Sequence, residues 1–169
     1  MFVAGVTSYE WYVKGQEEYM MIPINGRVLL YEKTSMKLEC LYDGSKGPAI
    51  DPHMSPIVDS VAFIIGRDLY ITHVDVETLF SEDAMDQDTA MTCSSTSLVR
   101  LTISGMKEGV SCGVADFVAQ EELDRYRGFW YSPDGSKIAY TKANEHAVAQ
   151  YPIQYYGDDD PLRSEMHRY

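Results

Sequence analysis

Two adjacent glutamates, Glu121 and Glu122, are the residues of this chain best placed to do chemistry. Like charges on neighbouring side chains repel, and a cation held between them relieves that cost. A primary ammonium has three donors and no acceptor, so two carboxylates can satisfy most of it. Adjacent side chains point to opposite faces of a strand but stand only about 100° apart on a helix. Convergence on one ligand therefore predicts a short helical segment near Gln120-Tyr126. The doublet can equally be a solvated acidic patch, or can pair with the nearby Arg125 or Arg127. Phe129-Trp130-Tyr131, just downstream, can wall such a site or fill a sheet core.

Other candidates carry less. Asp158-Asp159-Asp160, and Glu82-Asp83 with Asp86 and Asp88, lack the spacing of a calcium loop, so no metal site is expected. The histidines His53, His73, His146 and His167 are scattered. No nucleophile with a recognisable base and no glycine-rich phosphate loop is visible, so neither a catalytic residue nor a cofactor is expected within these residues. Cys40, Cys93 and Cys112 include no CxxC pair, which argues against zinc. Reduced thiols in an intracellular setting are the simpler expectation, with one disulfide left open.

Composition sets the frame. The 169 residues are enough for one domain with a real core. Apolar residues make up 45% and charged residues 24%, an ordinary globular balance. The net charge of -12 leaves no phosphate-binding footprint, so nucleic acid is not expected as a partner. The same field favours a cationic ligand such as a peptide N-terminus. No apolar run approaches the roughly 18 residues of a membrane span, and Met1-Phe2-Val3-Ala4-Gly5 does not read as a signal peptide.

The elements that must position the glutamates read as mostly β. Asn25-Gly26, between Tyr19–Ile22 and Arg27–Tyr31, predicts a hairpin. Ser60–Ile65 and Asp68–Val74 read as strands joined at Gly66-Arg67, and Ser97–Ile103 as another. No long stretch has the 3.6-residue period, so helices should be few and short. Ser55-Pro56 before Ser60-Val61-Ala62-Phe63-Ile64 recurs as Ser132-Pro133-Asp134-Gly135 before Lys137-Ile138-Ala139-Tyr140-Thr141, 77 residues on. A turn-plus-strand unit recurring without a gap suggests propeller blades. The offset exceeds that of common blades, which places a flexible surface insertion at residues 80–97, between Phe80 and Ser97. Tyr155 to Pro161 reads as a loop leading into a further strand.

One long stretch carries a family resemblance: Gly113-Val114-Ala115-Asp116-Phe117-Val118-Ala119-Gln120-Glu121-Glu122-Leu123-Asp124-Arg125-Tyr126-Arg127-Gly128-Phe129-Trp130-Tyr131-Ser132-Pro133. It resembles the dipeptidyl peptidase IV family of the prolyl oligopeptidase clan, the intracellular members in particular. Gly5-Val6-Thr7-Ser8-Tyr9-Glu10, Gly47-Pro48-Ala49-Ile50-Asp51-Pro52-His53-Met54-Ser55-Pro56, Arg67-Asp68-Leu69-Tyr70-Ile71, Arg100-Leu101-Thr102 and the final His167-Arg168-Tyr169 support it. The resemblance implies an all-β partial β-propeller, with about two to three antiparallel four-stranded blades. It makes residues 1–169 a fragment of an N-terminal propeller, with a serine-peptidase α/β-hydrolase domain elsewhere in the parent chain. It implies that Glu121 and Glu122 anchor the substrate's N-terminal ammonium, so that dipeptides are removed after Pro or Ala. The triad would lie in the hydrolase domain, and a second, arginine arm of the clamp would lie before residue 1. A fragment of this kind should be inactive alone, open to self-association through its blade edges, and cytoplasmic. The alternative is an interaction module from a catalytically inactive relative. Clan members that do not read a free ammonium have no need of the glutamate doublet.

Overall fold

Asn25 and Gly26 both adopt positive φ, 51° and 75°. That conformation makes the tight two-residue turn whose twist matches its flanking strands. The turn joins β2 (Glu17–Ile24) to β3 (Arg27–Glu32) in the computed structural model of the chain. With β1 (Glu10–Lys14) and β4 (Leu38–Tyr42) they form an antiparallel four-stranded sheet in the order β1-β2-β3-β4. The structure describes residues 5–6, 8–81, 93, 97–103, 107–155 and 163–168.

A second antiparallel sheet repeats the plan with β5 (Ile50–Met54), β6 (Ser60–Ile65), β7 (Asp68–His73) and β8 (Leu98–Arg100), in chain order. The split at Gly66-Arg67 falls where the sequence places it. Leu98–Arg100 forms the core of the expected Ser97–Ile103 strand, and the Leu101 amide still donates to the Leu69 carbonyl at 2.9 Å. Asp68 gathers the end of this blade: Arg100 donates to its carboxylate at 2.5 Å and Thr102 Oγ1 at 2.6 Å. Thr102 Oγ1 in turn accepts from the Leu69 amide at 3.0 Å. Two sequence stretches 32 residues apart are thus one polar clasp around a buried carboxylate.

The strand β6 reads Ser-Val-Ala-Phe-Ile-Ile, without polar alternation, because both its faces are covered. Val61 and Phe63 join Leu30, Leu41 and Tyr42 of the first sheet, with the Tyr42 and Phe63 rings 4.7 Å apart. Ala62 and Ile64 face the other way and pack with Leu69 on Phe129. A one-turn helix, α1 (Val76–Leu79), adds Val76 and Leu79 to the first core, and Phe80 packs on Tyr19. Phe80 therefore belongs to the core. Residues 82–92 and 94–96 of the expected insertion, and the acidic clusters at 82–88 and 158–160, lie outside the described residues. Cys93 is disulfide-bonded to Cys40 on β4, and Cys112 is a buried free thiol. The disulfide that the sequence left open is therefore present, and the simpler expectation of three thiols is replaced.

The third region is built from pairs: β9 (Val110–Cys112) with β12 (Lys142–Asn144), β10 (Phe129–Tyr131) with β11 (Ile138–Tyr140), and β13 (Gln150–Gln154) with β14 (Ser164–Arg168). The internal repeat holds at the level of hydrogen bonds. Ser55 N donates to Ser60 O and Val58 N to Ser55 O; 77 residues on, Ser132 N donates to Lys137 O and Gly135 N to Ser132 O. Val58 and Gly135 occupy the same left-handed position, φ 55° and 71°. Among the described residues no helix is long and apolar enough to cross a membrane.

Candidate functional site

Glu121 and Glu122 sit on an excursion between the third region's strands, and its neck is tightly specified. Val114 and Arg127 form an isolated antiparallel bridge that brings the two ends together. Gly113 (φ 79°) and Gly128 lie back to back, so that a Cβ on Gly128 would stand 2.3 Å from the Gly113 carbonyl oxygen. Only glycine permits that approach. Thr141 stitches the pair: it receives Gly113 N on its carbonyl at 2.8 Å and donates its own amide to Gly128 O at 2.8 Å. Its hydroxyl lies 3.1 Å from Val114 O and 3.2 Å from Gly128 O.

Within the neck the chain makes one short helix, α2 (Phe117–Glu121). The sequence predicts a helical segment at Gln120-Tyr126; the helix instead starts at Phe117 and stops at Glu121. Asp116 sets the start, its carboxylate accepting from Ala119 N at 2.8 Å as an N-cap. Gln120 Nε2 donates back to Ala115 O at 2.7 Å, which ties the helix to its own entry. Asp124, at φ 50°, turns the chain out of the helical path. Ala119 is the residue α2 buries, while Phe117, Val118, Leu123 and Tyr126 are exposed.

Glu121 is the last helical residue and Glu122 the C-cap, still in the right-handed helical region. The two side chains therefore leave the backbone about 100° apart. They stand at the carbonyl end of the helix, the end that disfavours negative charge, with no basic residue in the last turn. Both are exposed, and among the described residues neither carboxylate has a hydrogen bond or ion pair. The arginines that could have paired with them are engaged elsewhere. Arg125 Nη1 donates to Arg127 O at 2.8 Å, and its guanidinium lies 5.9 Å from the Trp130 ring centre. Arg127 turns away to His53, 2.8 Å from its Nη2. Of the aromatic run, Phe129 fills the core while Trp130 is exposed under Arg125.

Beside Glu122 opens a cavity of about 270 Å³, lined by Asp116, Phe117, Val118, Glu145, Val148 and Arg168 as well as Glu122. Its chemistry suits a group with a cationic end and an apolar body. Arg168 is held at its side by Glu108, 2.6 Å away. Glu121 does not line this cavity.

A second cluster, which no sequence motif signals, lies at the base of the excursion. Arg127 meets His53 of β5 and approaches Glu10 of β1 at 3.6 Å. His53 Nε2 lies 2.8 Å from Asp51 and Nδ1 3.5 Å from Glu10, and Tyr12 donates its hydroxyl to Glu10. Burial opposes charge on His53 and is the largest single influence, but hydrogen bonds to Asp51 and Glu10, with the negative charge of Asp51, raise its pKa above the ordinary 6.5. Glu10 is held below the usual carboxylate range, chiefly by its hydrogen bond to His53.

Residues 2–169 match the family described as the dipeptidyl peptidase IV (DPP IV) N-terminal region. The chain belongs to that family. A probable dipeptidyl peptidase 4 of Aspergillus flavus is 30% identical over 130 residues, which are 76% of this chain and 14% of that protein. A probable dipeptidyl-aminopeptidase B of Grosmannia clavigera is 35% identical over 103 residues, 60% of this chain and 10% of that protein. The chain thus spans only a small part of the curated relatives it matches. The crystal structure of Porphyromonas gingivalis dipeptidyl peptidase 4 superposes with a TM-score of 0.64 at 20% identity, covering 97% of this chain and 20% of that one. The likeness is one of fold, and with the antiparallel four-stranded sheets it makes this member of the dipeptidyl peptidase IV family a partial β-propeller.

Proposed function

We propose that this chain is the substrate-anchoring portion of a dipeptidyl-peptidase-type serine peptidase, in which Glu121 and Glu122 hold the free N-terminal ammonium of a peptide. One observation carries the reading: two adjacent carboxylates are held exposed at the carbonyl end of a pinned helix while both local arginines are engaged elsewhere. Such a pair lacks a cation, and the substrate would supply it. Holding a peptide by its end fixes the distance to the scissile bond, so that two residues are released at a time. The nucleophile would come from an α/β-hydrolase domain of the same parent chain. The open edges of the sheets are candidate surfaces for that domain or for self-association. The cytoplasmic location suggested by the family resemblance remains part of the proposal, although the Cys40–Cys93 disulfide fits an oxidising compartment better.

The test is Glu122→Ala in the full-length enzyme. Each charge-assisted bond contributes roughly 1.5–3 kcal/mol, so kcat/KM for dipeptide release should fall about 10- to 150-fold. Unchanged dipeptide release would overturn the assignment. The 169 residues alone should not cleave a Gly-Pro substrate, and detectable hydrolysis by the purified chain would contradict the division of labour.

A further inference from the structure

We propose that Arg127, His53, Asp51 and Glu10 form a proton-sensitive latch that positions the glutamate excursion, with His53 as its moving part. The inference rests on the reading of Glu121 and Glu122 as an ammonium anchor. Arg127 has two attachments. Its backbone closes the neck against Val114, and its side chain reaches out of the third region to β5 and β1. It is the residue through which the base of the excursion is tied to both four-stranded sheets.

The geometry dictates the protonation state. Arg127 can only donate, so at 2.8 Å the His53 Nδ1 must present a lone pair. The remaining ring proton then sits on Nε2 and is donated to Asp51 at 2.8 Å. A second proton on His53 would occupy Nδ1, turn it toward Glu10, and leave Arg127 with Glu10 alone at 3.6 Å. Proton and guanidinium thus compete for one lone pair. The groups facing the ring are Asp51 from β5, Glu10 from β1 and Arg127 from the neck, with Tyr12 donating to Glu10 and Phe129 meeting the ring edge-on at 5.5 Å.

Asp51 is built for this contact. It holds φ 50° at the irregularity between Ile50 and His53, where β5 slips register against β6. A strained backbone at a side chain that grips a histidine points to a role beyond sheet pairing. Its second carboxylate oxygen is buried without a hydrogen-bond partner among the described residues, so the geometry serves His53 at a cost to Asp51.

The experiment compares steady-state kinetics of the full-length enzyme on a Gly-Pro chromogenic amide between about pH 5.5 and 8.5, the range of a shifted histidine. Glutamine at 53 can accept from Arg127 and donate to Asp51 but cannot titrate. His53→Gln should therefore keep the high-pH KM at every pH, so that the ratio of wild-type to variant KM rises as pH falls through the His53 titration. Arg127→Ala should raise KM on the order of tenfold at the alkaline end, with kcat within about twofold, and abolish that rise. Lysine, which can donate but not span both partners, should restore part of the loss. Amide exchange at Thr141 and Phe63 separates a loosened neck from general unfolding: Thr141 alone should exchange faster in Arg127→Ala. If that variant unfolds, the His53→Gln ratio still decides. A pH-independent ratio, or an Arg127→Ala enzyme with wild-type KM, overturns the latch. If those results come with a damaging Glu122→Ala, the anchor stands without its latch; if Glu122→Ala is silent, the anchor itself falls.

Discussion

β6 is buried at five of its six positions, whereas β13 is exposed at all five. The contrast extends to the regions around them. Strands β1 to β8 make two four-stranded sheets sharing one apolar cluster, to which both sheets and α1 contribute. Residues 107–168 make two-stranded pairs, and their buried contribution to the core centres on Phe129 against the far face of the second sheet. The two four-stranded sheets carry the fold, and the third region carries the candidate site. An excursion whose carboxylates are exposed gains little from burial, so it depends on a neck of glycines, a threonine and an arginine. Stability concentrated away from an exposed excursion is the expected distribution.

The largest test of this division is Phe63→Ala. The ring is fully buried and packs on Tyr42 between the two sheets. Its loss should cost about 3–5 kcal/mol in chemical denaturation. Tyr140→Ala, at an exposed position on β11, should stay within about 0.5 kcal/mol. Equal losses at both positions would show that the third region carries as much of the fold as the two four-stranded sheets.

A middle-sized effect tests the neck. Gly128→Ala adds a methyl against the Gly113 carbonyl, where backbone cannot yield cheaply. Overpacking of this kind costs about 1–3 kcal/mol. The loss should appear as faster exchange of the Gly113 and Thr141 amides, whose bonds span the neck. Wild-type protection at both amides would mean that the close approach is not what holds the excursion.

The same contrast governs what could be read from sequence. Elements of the two four-stranded sheets were legible because their signals are local: the Asn25-Gly26 turn, the break at Gly66-Arg67 and the apolar run of β6. The repeat at Ser55 and Ser132 was legible as well, down to matching turn hydrogen bonds. The glutamate doublet was legible as a charge anomaly, yet its helix was placed three residues late. Asp116 before an apolar run was the available signal, since an aspartate there can cap. The latch was not legible. Glu10 and His53 are 43 residues apart and His53 and Arg127 are 74 apart, so the cluster exists only once three sheets are packed. Three cysteines likewise could not declare that Cys40 would meet Cys93.

The smallest effect gives the finest comparison, because one motif occurs in both regions. Asp75 caps α1, accepting from the Thr78 amide at 3.4 Å and from its hydroxyl at 2.7 Å, and Asp116 caps α2, accepting from the Ala119 amide at 2.8 Å. Removing an N-cap typically costs about 1 kcal/mol, which is the expected local cost of Asp116→Ala. The consequence should differ with what each helix buries. α1 puts Val76 and Leu79 into the main cluster, so unwinding it exposes the core, and Asp75→Ala should lower the midpoint of global unfolding. α2 buries Ala119, and Gln120 still ties it to Ala115, so Asp116→Ala should speed exchange of the Gln120 and Glu122 amides while the global midpoint stays put. The Gln120 and Glu122 amides bond within the helix, to Asp116 and Val118, and report its opening directly. A fall in global midpoint with Asp116→Ala equal to that of Asp75→Ala would mean that the excursion opens only with the whole fold. The glutamates would then be held by the core itself, and the neck and its latch would be redundant.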